Sequence, residues 1–178
     1  MSELITPFDG QSPQIDSSAF VDISARLIGR VRLEERVSIW PGAVLRADEA
    51  EILVGAGSAV LDLCLLESPH GHPVIIEPGA LISHQACLHG ATVKSGALVG
   101  IGAIVLDGAV VGEGALVGAG ALVPPGMEVP AGMLMLGAPA KPIRELKPAE
   151  RANVAAQLKE LEDKSRIYMK QDKQRPMQ

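Results

Sequence analysis

All four histidines of this 178-residue chain lie in one short segment, residues 68–90. The segment has the sequence SPHGHPVIIEPGALISHQACLHG, and most of its other residues are small or aliphatic. An imidazole ring can bind a metal ion or exchange a proton near neutral pH, and a carboxylate can supply a further metal ligand. Their clustering predicts a chemical site drawn from four candidates, His70, His72, His84 and His89.

The histidine segment lies inside a six-residue repeat that runs through most of the chain. From residue 93 the units are VKSGAL, VGIGAI, VLDGAV, VGEGAL, VGAGAL, VPPGME and VPAGML. Each unit opens with valine, and the first five have alanine at the fifth position. The same template continues back to residue 21, with three extra residues before 54, four before 76 and one missing before 93. A six-residue unit repeated along most of the chain predicts a fold built by stacking identical structural units.

A period of six fits neither an α-helix nor one alternating strand, but it fits a short strand followed by a turn. Three units make one triangular rung, and the rungs stack through ladder hydrogen bonds roughly 4.8 Å apart. The leading aliphatic and the small fifth residue then point inward. Such a narrow interior explains why aromatic residues make up only 2% of a chain that is 47% hydrophobic. We predict an all-β solenoid, a parallel β-helix of hexapeptide repeats.

The extent of the repeat divides the chain into three regions. Residues 1–20 are an N-terminal lead-in, residues 21–140 form the β-helix, and residues 148–170 form a C-terminal α-helix that Pro148 opens. We expect this helix to pack along the solenoid or on a neighbouring subunit, and the final nine residues, KQDKQRPMQ, to be frayed. The apolar face of the predicted helix consists of Val154, Leu158, Leu161 and Tyr168.

Composition argues against several classes of partner. The net charge is −5, with 16 basic and 21 acidic residues, and no basic stripe precedes the tail, so nucleic acid is not an expected partner. No apolar run approaches the length of a membrane span. Without a signal peptide, and with only Cys64 and Cys87, we expect a cytoplasmic protein whose thiols are reduced and serve packing.

Grouping the units in threes places residues 45, 66 and 88 on one face of successive rungs. Arg46, Glu67 and His89 then stack at outward positions. Glu67 and His89 lie about one rung apart, which is close enough for both to bind one ion. In the alternative arrangement Glu67 pairs with Arg46, and His89 is an ordinary polar neighbour.

A second outward stack lies on another face and contains Pro41, Asp62 and His84. His84 cannot easily reach the first pair in its own chain, but in a trimer it would reach the pair of an adjacent subunit. His72, beside a proline in the four-residue insertion, is expected to be a loop residue rather than a ligand.

Four blocks of the sequence, VSIWPGAVLRAD, SHQACLHG, IGAIVLDGAVVG and LGAPAKPIREL, together resemble γ-class carbonic anhydrase-like hexapeptide-repeat proteins. The resemblance extends from about residue 11 to the helix. It implies a left-handed parallel β-helix and a homotrimer. It also implies a metal ion between two subunits, with two histidines from one chain and a third from the next.

The resemblance assigns candidate ligands residue by residue. His84 and His89 fall on the last two family positions, whereas the first, a histidine in the family, falls on Glu67. His70 stands three residues later, where some relatives carry another histidine, so either Glu67 or His70 would complete the site. The implied metal is Zn²⁺, with Fe²⁺ or Co²⁺ as alternatives.

The reaction that the resemblance implies is reversible hydration of carbon dioxide to bicarbonate. Arg46 and Asp48 match the charged positions of the family's RGD block, and Asp62 matches the last position of its NVQD block. Leu61 replaces the glutamine expected to hold the active-site water, and it offers neither a donor nor an acceptor. An anionic Glu67 ligand would also make a metal-bound water less acidic.

The candidate catalytic residues are therefore Arg46, Asp48, Asp62 and Glu67, in a site whose carbon dioxide hydration we expect to be slow or lost. If His70 takes the coordinating role, Glu67 would be free to act as a base. Two alternatives use the same scaffold: an acyltransferase that uses coenzyme A or acyl carrier protein, and a non-catalytic binding or structural trimer.

Overall fold

The computed structural model describes residues 4–172, and it confirms the predicted all-β solenoid of parallel strands with one C-terminal helix. Most strands have two or three residues, because each hexapeptide unit supplies one short strand and a turn. The helix α1 spans Pro148–Asp172. The strands are β1 Ile5–Thr6, β2 Gln14–Ile15, β3 Phe20–Val21, β4 Arg26–Leu33, β5 Ser38–Ile39, β6 Val44–Val54, β7 Ala59–Val60, β8 Leu65–Glu67, β9 Val74–Ile76, β10 Leu81–Ile82, β11 Cys87–His89, β12 Thr92–Val93, β13 Leu98–Val99, β14 Ile104–Val105, β15 Val110–Val111, β16 Leu116–Val117, β17 Leu122–Val123, β18 Glu128–Val129, β19 Met133–Leu136 and β20 Lys141–Glu145.

The strands form three faces. One face is an eight-stranded sheet in the order β3-β5-β7-β10-β13-β16-β19-β20, in which β20 pairs antiparallel at the end. The second face contains β8-β11-β14-β17, and the third contains β9-β12-β15-β18. The long strands β4 and β6 pair with each other, and β6 pairs with both β8 and β9, which joins these two faces into one twelve-stranded sheet.

The bend of β4 between these two faces depends on Gly29. Its φ of 75° lies in the left-handed region, and a Cβ at this position would collide with the carbonyl oxygen of Ala47. The three extra residues before residue 54 lie inside the 11-residue strand β6, so the insertion lengthens a strand instead of forming a loop.

The core follows the hexapeptide template. Inward positions are filled by a leading aliphatic and a small fifth residue, and from Val93 to Val123 both positions are at most 1% exposed in every unit. Narrow rungs of this kind exclude large rings. The inward positions in this part of the chain are Val93, Ala97, Val99, Ala103, Val105, Ala109, Val111, Ala115, Val117, Ala121 and Val123.

Strand pairing starts before residue 21, the predicted start of the solenoid, and β20 ends after residue 140, its predicted end. β1 and β2 pair with β4, so solenoid pairing begins within the lead-in predicted for residues 1–20. The helix spans Pro148–Asp172, compared with the range 148–170 expected from the sequence. The first three lead-in residues, 1–3, and the last six residues of the predicted frayed end, 173–178, lie outside the described residues.

The helix packs along its own solenoid, which is one of the two roles predicted for it. The rings of Phe20, Trp40 and Tyr168 meet with centroids 5.5–5.7 Å apart and join the helix to the eight-stranded face. Among the described residues, no helix has the length and apolar character that a membrane span needs. The apolar cluster under the helix consists of Phe20, Trp40, Ala59, Leu61, Leu81, Leu98, Val154, Leu158, Leu161 and Met169.

Candidate metal centre

A column of polar side chains crosses three rungs on the second face. Arg46 of β6 is the register partner of Glu67 in β8, and Glu67 is the partner of His89 in β11, as the grouping of hexapeptide units predicted. The Arg46 guanidinium donates to Glu67 Oε1 and, over 2.9 Å, to Asp48 Oδ2. The hydrogen bond to Glu67 raises the pKa of Arg46, so this residue is a permanent cation beside the carboxylate.

Glu67 and His89 form a half-buried pair. His89 Nε2 lies 3.9 Å from Glu67 Oε1, and the two side chains are 34% and 25% exposed. Two ligands that each lie about 2.1 Å from a tetrahedral ion are about 3.4 Å apart. The observed separation therefore needs to shrink by only about half an ångström for both groups to bind one ion. Glu67 thus contacts both of its predicted partners, Arg46 and His89.

His89 also contacts Asp107, a residue that sequence reasoning missed. The Nδ1 atom of His89 is hydrogen-bonded to Asp107 Oδ1. A carboxylate accepts hydrogen bonds, so Nδ1 carries the proton in the neutral ring and Nε2 keeps its lone pair. That lone pair is on the nitrogen nearest to Glu67, which is the arrangement that a metal ligand requires.

His84 lies with Asp62 on a different edge of the prism, in the turns that follow β10 and β7. His84 Nε2 is 3.4 Å from Asp62 Oδ2, and the two side chains are 49% and 39% exposed. Within one chain, no three His, Cys, Asp or Glu side chains of residues 4–172 converge on a single point. His84 and the pair formed by Glu67 and His89 are therefore separate parts of one protomer.

The remaining two histidines lie in the turn between β8 and β9. His70 is exposed, and its backbone N–H donates to Glu49 Oε2 over 2.7 Å. No hydrogen bond or ion pair among the described residues joins His70 to Glu67 or His89. His72 is also exposed, but it lies beside the column: a Cβ placed on Gly90 would be 2.6 Å from His72 Cβ.

Leu61 lies beneath the helix, not at an open edge. It is 6% exposed and belongs to the apolar cluster that contains Trp40 and Val154. This position, matched to the family's water-holding glutamine, is therefore used for packing in this chain.

The two cysteines offer no thiolate at neutral pH. Burial raises the pKa of the Cys64 thiol to about 12, and its Sγ lies 2.9 Å from the carbonyl oxygen of Ser83. Burial, and to a smaller extent the charge of Glu67, also raises the pKa of Cys87. Neither cysteine belongs to a group of three or more His, Cys, Asp or Glu side chains, among residues 4–172, that could hold an ion. Cys87, expected at an interior or turn position, instead stands partly exposed on the outer side of β11.

An apolar stripe runs up the second face between the two parts of the site. Its members are register partners in successive rungs, and Leu65 and Ile104 are 39% and 40% exposed in the single chain. His84 lies in the turn before this face, and His89 lies at its far edge. The sixth position of every third hexapeptide unit marks the stripe in the sequence. The apolar stripe consists of Val44, Leu65, Cys87, Ile104 and Leu122.

Comparison with known proteins places the chain in a family. A carbonic anhydrase from Geobacillus kaustophilus is 40% identical over 172 residues, which cover 97% of this chain and 94% of that protein. The "uncharacterized transferase YtoA" of Bacillus subtilis is 49% identical over 166 residues, 93% of this chain and 96% of that protein. The crystal structure of a Bacillus cereus protein described as a putative acetyltransferase superposes with a TM-score of 0.91 at 38% identity, and covers 92% of this chain and 95% of its own. No protein-family profile matches the chain. The chain belongs to the γ-class carbonic anhydrase-like family of hexapeptide-repeat proteins, whose fold is the left-handed parallel β-helix.

Proposed function

We propose that this protein is a trimeric, metal-binding γ-carbonic anhydrase-like protein in which carbon dioxide hydration is weak or lost. Glu67 and His89 of one chain and His84 of the next would hold the metal, and zinc is the first expectation. The observation that carries the proposal is the 3.9 Å separation of His89 Nε2 and Glu67 Oε1 on adjacent rungs. One carboxylate and two imidazoles form a ligand set that zinc accepts, and iron or cobalt is an alternative.

The apolar stripe supports the trimeric part of the proposal. Partly exposed apolar side chains, four aliphatic residues and Cys87, form a continuous surface over five successive rungs, of the kind that subunit interfaces cover. In a cyclic trimer each copy contributes two different surfaces to its neighbours. A neighbour seated on this stripe would bring its His84 toward the Glu67 and His89 of the first chain.

The contacts of Glu67 favour it over His70 as the third ligand. Its carboxylate lies on the same side of the column as His89 Nε2, whereas His70 lies in an exposed turn against Glu49. Arg46 donates to Oε1, the same oxygen that lies nearest to His89 Nε2. The ion would therefore use a second lone pair of Oε1 or the other oxygen, Oε2, while Arg46 keeps its hydrogen bond. Arg46 and Asp48 then hold the carboxylate in place.

Replacement of the two candidate third ligands separates these assignments. We expect Glu67→Gln to weaken zinc binding at least tenfold, because the amide loses the negative charge that binds the cation. We expect His70→Ala to leave the affinity within about twofold, because its ring is not in the column. Competition with a chromophoric chelator measures both affinities. The reverse result would make His70 the ligand and release Glu67 to act as a base.

The residues around the site explain why we expect a weak enzyme. A bound zinc ion supplies an acidic water for attack on carbon dioxide. In this chain Glu67 adds a negative charge to the ligand set. Leu61, at the position matched to the family's water-holding glutamine, is packed under the helix and has no polar atom to orient that water. Asp62, 3.4 Å from His84, is the remaining polar group of its block and would orient that ring.

A stopped-flow hydration assay on the zinc-loaded trimer tests the activity. We expect little or no acceleration above the buffer rate, even at full zinc occupancy, because no polar side chain stands at position 61. Rapid turnover that disappears on removal of zinc would contradict this expectation, and would show that another group orients the water.

Acyl transfer is the second candidate function, favoured by the names of the Bacillus subtilis relative and the Bacillus cereus structure. The discriminating measurement is release of free thiol from acetyl-coenzyme A in the presence of amine and hydroxyl acceptors. Release that depends on an acceptor, in a protein without bound metal, would support the transferase. Bound zinc with neither activity would support the third alternative, a binding or structural trimer.

A further inference from the structure

We infer that Asp107 is a positioning residue of the metal centre, which orients His89 so that its Nε2 faces the ion. This inference rests on the proposed function. Asp107 lies in the turn after β14, one rung above His89, and its Oδ1 atom is the acceptor for His89 Nδ1. A metal-binding histidine commonly gives its second ring nitrogen to a carboxylate, which fixes both the tautomer and the ring plane.

The hydrogen bond selects one of two tautomers. A neutral imidazole has a single N–H, and with Asp107 as acceptor this proton stays on Nδ1. The ring then presents Nε2 toward Glu67, at 3.9 Å from Oε1. Without the carboxylate, His89 would exchange between tautomers and rotamers, and only part of its population would be ready to bind an ion.

The backbone around Asp107 is held on both sides. Gly108 N–H donates to the Gly90 carbonyl on the rung below, and Gly126 N–H donates to the Asp107 carbonyl from the rung above, each over 2.8 Å. Gly90 leaves room for the carboxylate, because a Cβ there would lie 2.9 Å from Asp107 Oδ1. The carboxylate is thus placed by the solenoid itself.

No competing structural role accounts for this carboxylate. Among the described residues, no lysine or arginine forms an ion pair with Asp107, and His89 is its hydrogen-bonding partner. The turn does not require an acidic residue either, since Ala119 occupies the equivalent position of a later hexapeptide unit. Alanine is therefore compatible with the local backbone at residue 107.

The test compares the unmodified full-length protein with Asp107→Asn, Asp107→Ala and His89→Ala. Zinc affinity is measured by chelator competition, and Co²⁺ is added separately so that its visible spectrum reports the ligand geometry. We expect Asp107→Ala to weaken zinc binding 10- to 100-fold and to alter the cobalt spectrum. Asp107→Asn should retain most of the affinity and the spectrum, because its amide oxygen can accept the same Nδ1–H.

Two controls separate positioning from general damage. The thermal midpoint of the metal-free protein should be unchanged in both Asp107 variants, and Asp163→Ala on the helix should leave zinc affinity unchanged. Zinc affinity of Asp107→Ala equal to that of the unmodified protein would overturn the inference. Equal weakening in Asp107→Asn would also overturn it, since charge and not the hydrogen bond would then be responsible.

The same measurements distinguish failure of the proposed metal site from failure of the role inferred for Asp107. If His89→Ala retains zinc at unchanged affinity, the metal site itself is misplaced. If the unmodified trimer takes up no zinc or cobalt, both the site and the role of Asp107 are wrong.

Discussion

Neither His84→Ala nor His89→Ala alone should bind zinc, but trimers that contain both variants should regain one site each. In the proposed arrangement a site takes Glu67 and His89 from one chain and His84 from the next. A mixed trimer has one boundary at which an intact His89 faces an intact His84. A site formed within one chain would never be rebuilt by mixing, because every chain lacks one histidine.

The measurement uses two affinity tags and co-expression, so that mixed trimers are purified from homotrimers by sequential capture. We expect zinc content near one ion per mixed trimer, about a third of the content of the unmodified protein. Each homotrimeric variant should remain trimeric with zinc near zero. Zinc at full occupancy in both homotrimeric variants would show that neither histidine is a ligand.

The hexapeptide register explains why the site could be predicted in part from the sequence. In a solenoid, the ladder fixes which residues of successive rungs are neighbours, so counting units placed Arg46, Glu67 and His89 in one column. The same counting placed His84 with Asp62 on another edge. Both arrangements are the ones that the structure has.

Contacts made by turn side chains, or by segments outside the hexapeptide repeat, could not be predicted by counting units. Asp107 reaches His89 from a turn, where direction depends on side-chain rotamers and on the space that Gly90 leaves. The lead-in strands β1 and β2 were missed because they carry no hexapeptide pattern, although they pair with β4. The position of Leu61 under the helix depends on packing between segments that are distant in sequence.

Glu67 lies between the partners of the two predicted alternatives, Arg46 and His89. Glu67 pairs with Arg46, as in the alternative without a metal ion, and its Oε1 also lies 3.9 Å from His89 Nε2. Both neighbours approach Oε1, Arg46 from the rung below and His89 from the rung above, so a bound ion would share this carboxylate with Arg46. Arg46 offsets the negative charge of Glu67 in the absence of an ion, which lowers the cost of keeping that carboxylate half-buried.

Substitution of Ile104 by aspartate should convert the proposed trimer to a monomer and remove the proposed zinc ion in the same step. Ile104 is 40% exposed in the isolated chain and is the fourth of the five members of the apolar stripe, one rung above Cys87. Because the side chain already faces outward, a charge there does not enter the solenoid core. In a subunit interface the same charge would be buried without a partner, which costs several kcal/mol and weakens association at least ~10³-fold.

Light scattering after size-exclusion chromatography measures the subunit number, and mass spectrometry measures zinc. Ile143→Asp is the matched control, since Ile143 is 54% exposed on β20, away from the stripe, and this variant should keep both the trimer and its zinc. Circular dichroism of Ile104→Asp should match that of the unmodified protein, because the strand ladder is intact. The two expected losses are linked physically: the Glu67 and His89 pair stays folded in the monomer, but the neighbour's imidazole is gone. A trimeric, zinc-loaded Ile104→Asp protein would show that the subunits meet on a different face, and that His84 cannot reach the pair by the route proposed here.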